Sequence, residues 1–372
     1  MANIYAEYLP NIKTLAITTV LLTPRNDTTL LWLSSDRKKL ILEHADQTSR
    51  ITLPAKVSGQ GTQHLQLPDT GELQCVNRIP AEPIFSEDTY VDLWSATSLG
   101  PETRLHCKRC DALLSDKKIK IWKDLPSEAW AEMMDLWHCH KPEEPEPTDD
   151  APAKKGYAAG NKLVAQVGVG LVDVMSFLVS DEDCSVEFRS SEDGDNIHEV
   201  YCSTCDTALG HRDPLSEGIR LQKPYLALSS SQDKITRSYD AAHWFSCYLN
   251  QAIETQGVRK FVFPNLPYEI WVFSTNLAYS SLEYPQPKQA MKVLFRERQG
   301  GQDVETLRAA NLLIETLTLS PMLEKLLYQV LQRENLKLPE SLKDFMGWQV
   351  AVLPVLYSAD VKSLENATYP WL

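Results

Sequence analysis

The chain has no uninterrupted apolar run of about 18 or more residues, which argues against a membrane-spanning helix. Its first residues, Met1-Ala2-Asn3-Ile4-Tyr5-Ala6-Glu7, show no basic stretch followed by an apolar one, so no secretory signal is expected. Basic residues are in deficit. The 37 Lys and Arg stand against 50 Asp and Glu, a net charge of −13 that argues against a nucleic-acid binder with a basic face. There is no glycine-rich phosphate loop, no H-E-x-x-H, no Ser/His/Asp order and no paired-carboxylate pattern. Nucleotide binding and the common hydrolytic centres therefore find no support. Without an export signal, the eight cysteines read as thiols and metal ligands of a reducing compartment, cytoplasm or nucleus, rather than as disulfides.

What is present is an ordinary globular composition, 43% hydrophobic and 23% charged over 372 residues, enough for a sizeable core divided among two or three domains. The predicted fold is α+β and β-rich. Residues 1–100 read as an N-terminal antiparallel β domain, because Thr14–Leu22, Leu30–Leu33, Lys39–Leu42, Ile51–Leu53 and His64–Leu67 alternate with turn formers at short intervals. His44 and His64 stand alone there, as surface or packing residues. Residues 101–235 form a central β domain and residues 236–372 a C-terminal α+β domain. In the last, Ala241–Ala252 and the segment after Ser320-Pro321 read as helices, the second with a serine cap and an apolar face of Leu323, Leu326, Leu327, Val330 and Leu331.

The central domain carries the chemistry. Cys107-Lys108-Arg109-Cys110 and Cys202-Ser203-Thr204-Cys205 are two C-x-x-C knuckles, each followed by a short turn and a Leu. Thiolates at i and i+3 around a tight turn hold one side of a zinc ion, and a second such hairpin completes the tetrahedron. Cys107, Cys110, Cys202 and Cys205 are thus expected to bind a structural Zn2+, with His106, Lys108 and Arg109 supplying compensating positive charge. Between the knuckles, Pro126–Trp137 has one apolar helical face of Trp130, Met133, Met134 and Trp137. It delivers His138-Cys139-His140, which can add a ligand to the first metal, build a second site, or present Cys139 as a nucleophile. An acidic, proline-rich insertion follows at about residues 141–157 and cannot build a core. His211 reads as a polar loop histidine. Cys75, Cys184 and Cys247 are isolated, and Cys247 is expected to be buried on its helix.

Taken in order, the first knuckle with Leu113, P-S-E-x-W at Pro126–Trp130, W-H-C-H at Trp137–His140 and C-x-x-C-x-x-x-L-G at Cys202–Gly210 resemble the HECT-like family of ubiquitin-conjugating-enzyme-binding proteins. His138 stands where relatives carry a cysteine. The second knuckle also resembles those of Yippee-like domains, in which two hairpins share one zinc. The family resemblance implies binding to a ubiquitin-conjugating enzyme and ubiquitin-protein transfer through a cysteine thioester; no position here matches a HECT catalytic motif, so the acceptor is unassigned, with Cys139 and Cys247 as candidates. It also implies a link to mRNA 3′-end cleavage and polyadenylation. Two functions stay open: a HECT-like ligase or ligase cofactor, and a non-catalytic zinc-containing adaptor that binds the 3′-end-processing endonuclease.

Overall fold

The structure, a computed structural model, describes residues 3–85, 93–115, 119–125, 164–190, 198–230, 236–298 and 313–356. The helix expected at Pro126–Trp137, His138-Cys139-His140 and the acidic insertion lie outside the described residues. The chain divides into two compact units, one made of residues 1–91 with 241–372 and the other of residues 92–240. The architecture is β-rich α+β, and among the described residues no helix is long and apolar enough to cross a membrane.

The first unit takes its N-terminal strands from β1 (Asn3–Leu9), β2 (Thr14–Val20), β3 (Leu30–Leu33), β4 (Lys39–His44), β5 (Gln47–Thr52), β6 (Ala55–Val57), β7 (Gln63–His64) and β8 (Gln74–Pro83). Its C-terminal part adds α1 (Ala241–Gln256), β18 (Lys260–Val262), β19 (Tyr268–Ser281), β20 (Lys288–Glu297), β21 (Ile314–Thr316), α2 (Pro321–Leu336), β22 (Asp344–Phe345) and β23 (Trp348–Pro354). A ten-stranded sheet runs β22-β23-β20-β19-β1-β2-β8-β6, with β18 branching from β19 and β21 pairing with β18. Strand β1 pairs antiparallel with β2 on one side and β19 on the other, so the two ends of the chain share one sheet.

A four-stranded sheet, β5-β4-β3-β7, supplies Leu31, Leu33, Leu40, Leu42 and Ile51 to a core with Ile4, Ala6, Tyr8, Leu15 and Ile17. Successive side chains point to opposite faces along these strands, which puts one face of each into that core. Helix α2 starts as expected: Pro321 takes the first position and the Ser320 hydroxyl accepts the Leu323 N–H at 3.4 Å. Leu323, Leu327, Val330 and Leu331 are buried. Ser320→Ala should cost about 1 kcal/mol, read as a lower denaturant midpoint without a change in slope.

The second unit contains β9 (Arg104–Cys107), β10 (Ile121–Asp124), β11 (Val169–Val172), β12 (Ser176–Val179), β13 (Glu187–Ser190), β14 (His198–Tyr201), β15 (Ala208–Asp213), β16 (Gly218–Gln222) and β17 (Leu226–Ser229). Seven of them form the sheet β10-β11-β12-β16-β15-β14-β13, while β9 pairs antiparallel with β17. Two runs of good strand formers are broken. Leu171–Val179 turns back on itself where Asp173 N–H donates to the Ser176 carbonyl at 2.9 Å, making the β11–β12 hairpin. Leu221–Leu228 is interrupted by a 3-10 turn at Lys223–Tyr225, because Pro224 has no N–H for a ladder. The backbones of β15 and β16 approach closely at Gly210, where an added Cβ would lie 1.8 Å from the Arg220 carbonyl oxygen. Gly210→Ala should therefore destabilise this unit by about 3 kcal/mol, measured by denaturant unfolding.

Candidate metal centre

The two knuckles are copies of one local structure. At the end of β9, Cys107 N–H donates to the Ala112 carbonyl (2.9 Å) and Asp111 N–H to the Cys107 carbonyl (2.8 Å). Between β14 and β15, Cys202 N–H donates to the Thr207 carbonyl (2.9 Å) and Asp206 N–H to the Cys202 carbonyl (3.0 Å). Both turns close through an aspartate in the left-handed region, Asp111 at φ 59° and Asp206 at φ 56°. Asp tolerates that conformation better than most residues because its short side chain hydrogen-bonds locally. The usable signal was thus C-x-x-C-D in both knuckles, which the spacing of the cysteines alone does not contain.

The turns bring the four sulfurs together, all within 4.8 Å of one another. The Cys107–Cys205 and Cys110–Cys202 separations are both 3.6 Å. Tetrahedral zinc with Zn–S bonds of about 2.3 Å spaces sulfurs roughly 3.8 Å apart, whereas a disulfide needs about 2.05 Å. The donor set and its spacing fit a tetrahedral metal ion and not two disulfides. Cys107 and Cys202 are fully buried, and their partners from the other end of each knuckle lie nearer the surface. Burial pushes the Cys107 thiol up to about 12, while the Thr207 hydroxyl, 3.1 Å from the Cys205 sulfur, holds Cys205 down to about 6. A metal ion bound there displaces the Cys107 proton, so binding weakens as pH falls.

The neighbours fasten the knuckles. His106 turns away from the sulfurs: Nδ1 donates to the Asp111 carbonyl at 3.1 Å, and Nε2 meets the Ser229 hydroxyl on β17 at 2.9 Å. Lys108 reaches the Tyr239 carbonyl at 2.5 Å and the Pro224 carbonyl at 3.4 Å. His106 joins the knuckle to β17 and Lys108 joins it to the Lys223–Tyr225 turn and to Tyr239, roles beyond the compensating charge expected of them. On the second knuckle, Arg189 from β13 pairs with Asp206 at 2.5 Å and lies 4.4 Å above the Tyr201 ring.

The remaining candidates fall elsewhere. His211 is on strand β15, opposite Glu199 and Arg220, rather than in a loop, because the strand continues past Gly210. Burial lowers its pKa, and it is not among the clustered ligands. Cys247 is buried in α1 at 4% exposure, as expected from its apolar neighbours. Cys75 is half-buried, and burial pushes its thiol up.

Comparison with known proteins adds the family. The chain is 25% identical over 309 residues to an uncharacterized protein of Schizosaccharomyces pombe, covering 74% of this chain and 81% of the relative. It is 26% identical over 254 residues to an uncharacterized protein of Saccharomyces cerevisiae, covering 66% of this chain and 67% of the relative. No solved structure matches it. The model of the HECT-like ubiquitin-conjugating enzyme (E2)-binding family matches residues 7–350, a span that includes both knuckles, the whole second unit and most of the first. The chain belongs to the HECT-like ubiquitin-conjugating enzyme (E2)-binding family.

Proposed function

We propose that this protein binds a ubiquitin-conjugating enzyme and that its four-cysteine cluster holds one structural zinc ion. The observation that carries the first part is the family match over residues 7–350. The second rests on four sulfurs within 4.8 Å, a closed thiolate set of the kind that suits zinc and leaves no open position for a substrate. Zinc is then a clasp between β9 and the β14–β15 hairpin, and partner binding belongs to the surfaces it holds in place. Both roles are compatible with the cytoplasm or nucleus.

Two forms of this function differ in whether ubiquitin passes through the protein. In the ligase form a cysteine accepts ubiquitin as a thioester. The buried Cys247 and the raised thiol of Cys75 do not favour either as that acceptor, since the thiolate must be both formed and reached. Cys139 lies outside the described residues. The other form is a non-catalytic adaptor or ligase cofactor, for which the 3′-end-processing endonuclease implied by the resemblance is a second protein partner. The test is titration of the full chain with a panel of ubiquitin-conjugating enzymes, followed by incubation with the charged form. Saturable binding to at least one enzyme is expected, with no thiol-sensitive ubiquitin adduct at Cys247 or Cys75. Absence of binding across the panel would contradict the reading.

A further inference from the structure

His44 closes β4 at 7% exposure with both ring nitrogens hydrogen-bonded to hydroxyls, Nδ1 to Thr29 Oγ1 and Nε2 to Thr23 Oγ1, each at 2.9 Å. One backbone amide determines the direction of every bond in this network. Thr28 N–H points at the Asn26 side-chain atom Oδ1 at 3.2 Å, which identifies that atom as the amide carbonyl oxygen. Thr29 Oγ1 lies 2.8 Å from the same carbonyl, so it donates its only proton there. It accepts Asn26 N–H at 3.0 Å, and its remaining lone pair receives Nδ1–H of His44. In the neutral imidazole Nε2 then carries a lone pair, and the Thr23 hydroxyl donates into it.

A hydroxyl, a base and an orienting group in hydrogen-bond contact form the arrangement that activates a nucleophile. Thr23 is exposed while His44 is buried, and both line a half-open cavity of about 190 Å³. Leu22 and Leu42 give it apolar walls, and Gln47 and Ser49 also line it.

We propose that Thr23 is an acyl acceptor activated by His44, with an acyl thioester as the substrate class. Thr23 Oγ attacks the thioester carbonyl carbon, the new C–O bond forms, and the C–S bond breaks. The hydroxyl proton passes to His44 Nε2 and from there to the leaving thiolate, so the products are a Thr23 ester and a free thiol with no change of oxidation state. Thr29 and Asn26 are positioning residues that hold the Nδ1–H tautomer. The thioester comes from a small molecule or from ubiquitin carried by its conjugating enzyme. The second source rests on the E2-binding reading and the first does not.

The experiment incubates the full chain with S-phenyl thioacetate in one arm and ubiquitin-charged conjugating enzyme in the other. Adducts are located by mass spectrometry on the tryptic peptide Thr14–Arg25. An ester on Thr23, stable to thiol reductant and cleaved by hydroxylamine, is expected in at least one arm. Thr23→Ser should keep the reaction and Thr23→Val should abolish it; both sit at an exposed position and leave the core alone. His44→Gln should slow acylation by roughly 10²-fold or more. An adduct in the small-thioester arm alone supports the site whatever the fate of E2 binding. No ester on Thr23 in either arm, or equal rates in wild type and Thr23→Val, would overturn the proposal.

Discussion

Replacing Cys107 and Cys202 together by serine is expected to unfold the second unit while the first keeps its structure. Each knuckle loses its buried ligand, so neither hairpin can hold its side of the ion. Structural zinc sites in small peptides are worth about 10–16 kcal/mol at neutral pH. This unit also has a core of its own, with Leu105, Val200, Leu209, Ile219 and Leu221 fully buried, so the expected loss is smaller. A loss of about 5 kcal/mol still equals the whole margin of many domains. Hydrogen exchange should show β9, β14 and β15 losing protection, while the β1–β19 pairing in the other unit is unchanged. A chelator should reproduce the effect on wild type. Acid should do so too, because protons compete with the metal for the thiolates. Retained protection in β9 and β15 of the double variant would show that the cysteines do not hold the unit together.

Asp213→Ala carries the second large effect, about 3 kcal/mol, because it empties the centre of a polar network at the end of β15. Oδ1 accepts Leu215 N–H at 2.9 Å and Ser216 N–H at 3.2 Å. Oδ2 accepts the Ser216 hydroxyl at 3.0 Å and Arg220 Nε–H at 2.7 Å. Burial works against the charged carboxylate, but the bonds from Arg220 and Ser216 outweigh it and hold the pKa below its ordinary value. A folded pKa below the unfolded one gives stability that is complete above the unfolded value, about 3.9, and lost as pH falls through the folded one. The gap between wild type and Asp213→Ala should accordingly be full at neutral pH and shrink below about pH 4. Unfolding in guanidinium at both pH values measures it. Because acid also releases the metal, the comparison is read at the lowest pH at which both proteins still carry their ion.

The cysteine cluster was legible because its signal is local: two C-x-x-C turns dictate their own hairpins and need only be brought together. The cap at Ser320 and the apolar stripe of α2 were legible for the same reason. The pairing of β1 with β19 was not, since alternation shows that a strand has a buried face but not which distant strand lies beside it. The breaks at Asp173–Met175 and Pro224 were hidden inside runs of good strand formers, although Pro224 was a visible warning. His44 read as a packing histidine because its partners Thr23, Asn26 and Thr29 are common residues in a turn, without a spacing that marks them in advance. His106 was placed beside the metal by its position in the chain, yet strand alternation sends its side chain the other way, to β17.

Elemental analysis of the full chain purified without added metal tests the central claim most directly. One zinc ion per chain is expected in wild type and none in the Cys107→Ser, Cys202→Ser variant. A wild-type chain free of zinc, or a double variant that still carries one ion, would contradict a clasp built from Cys107, Cys110, Cys202 and Cys205.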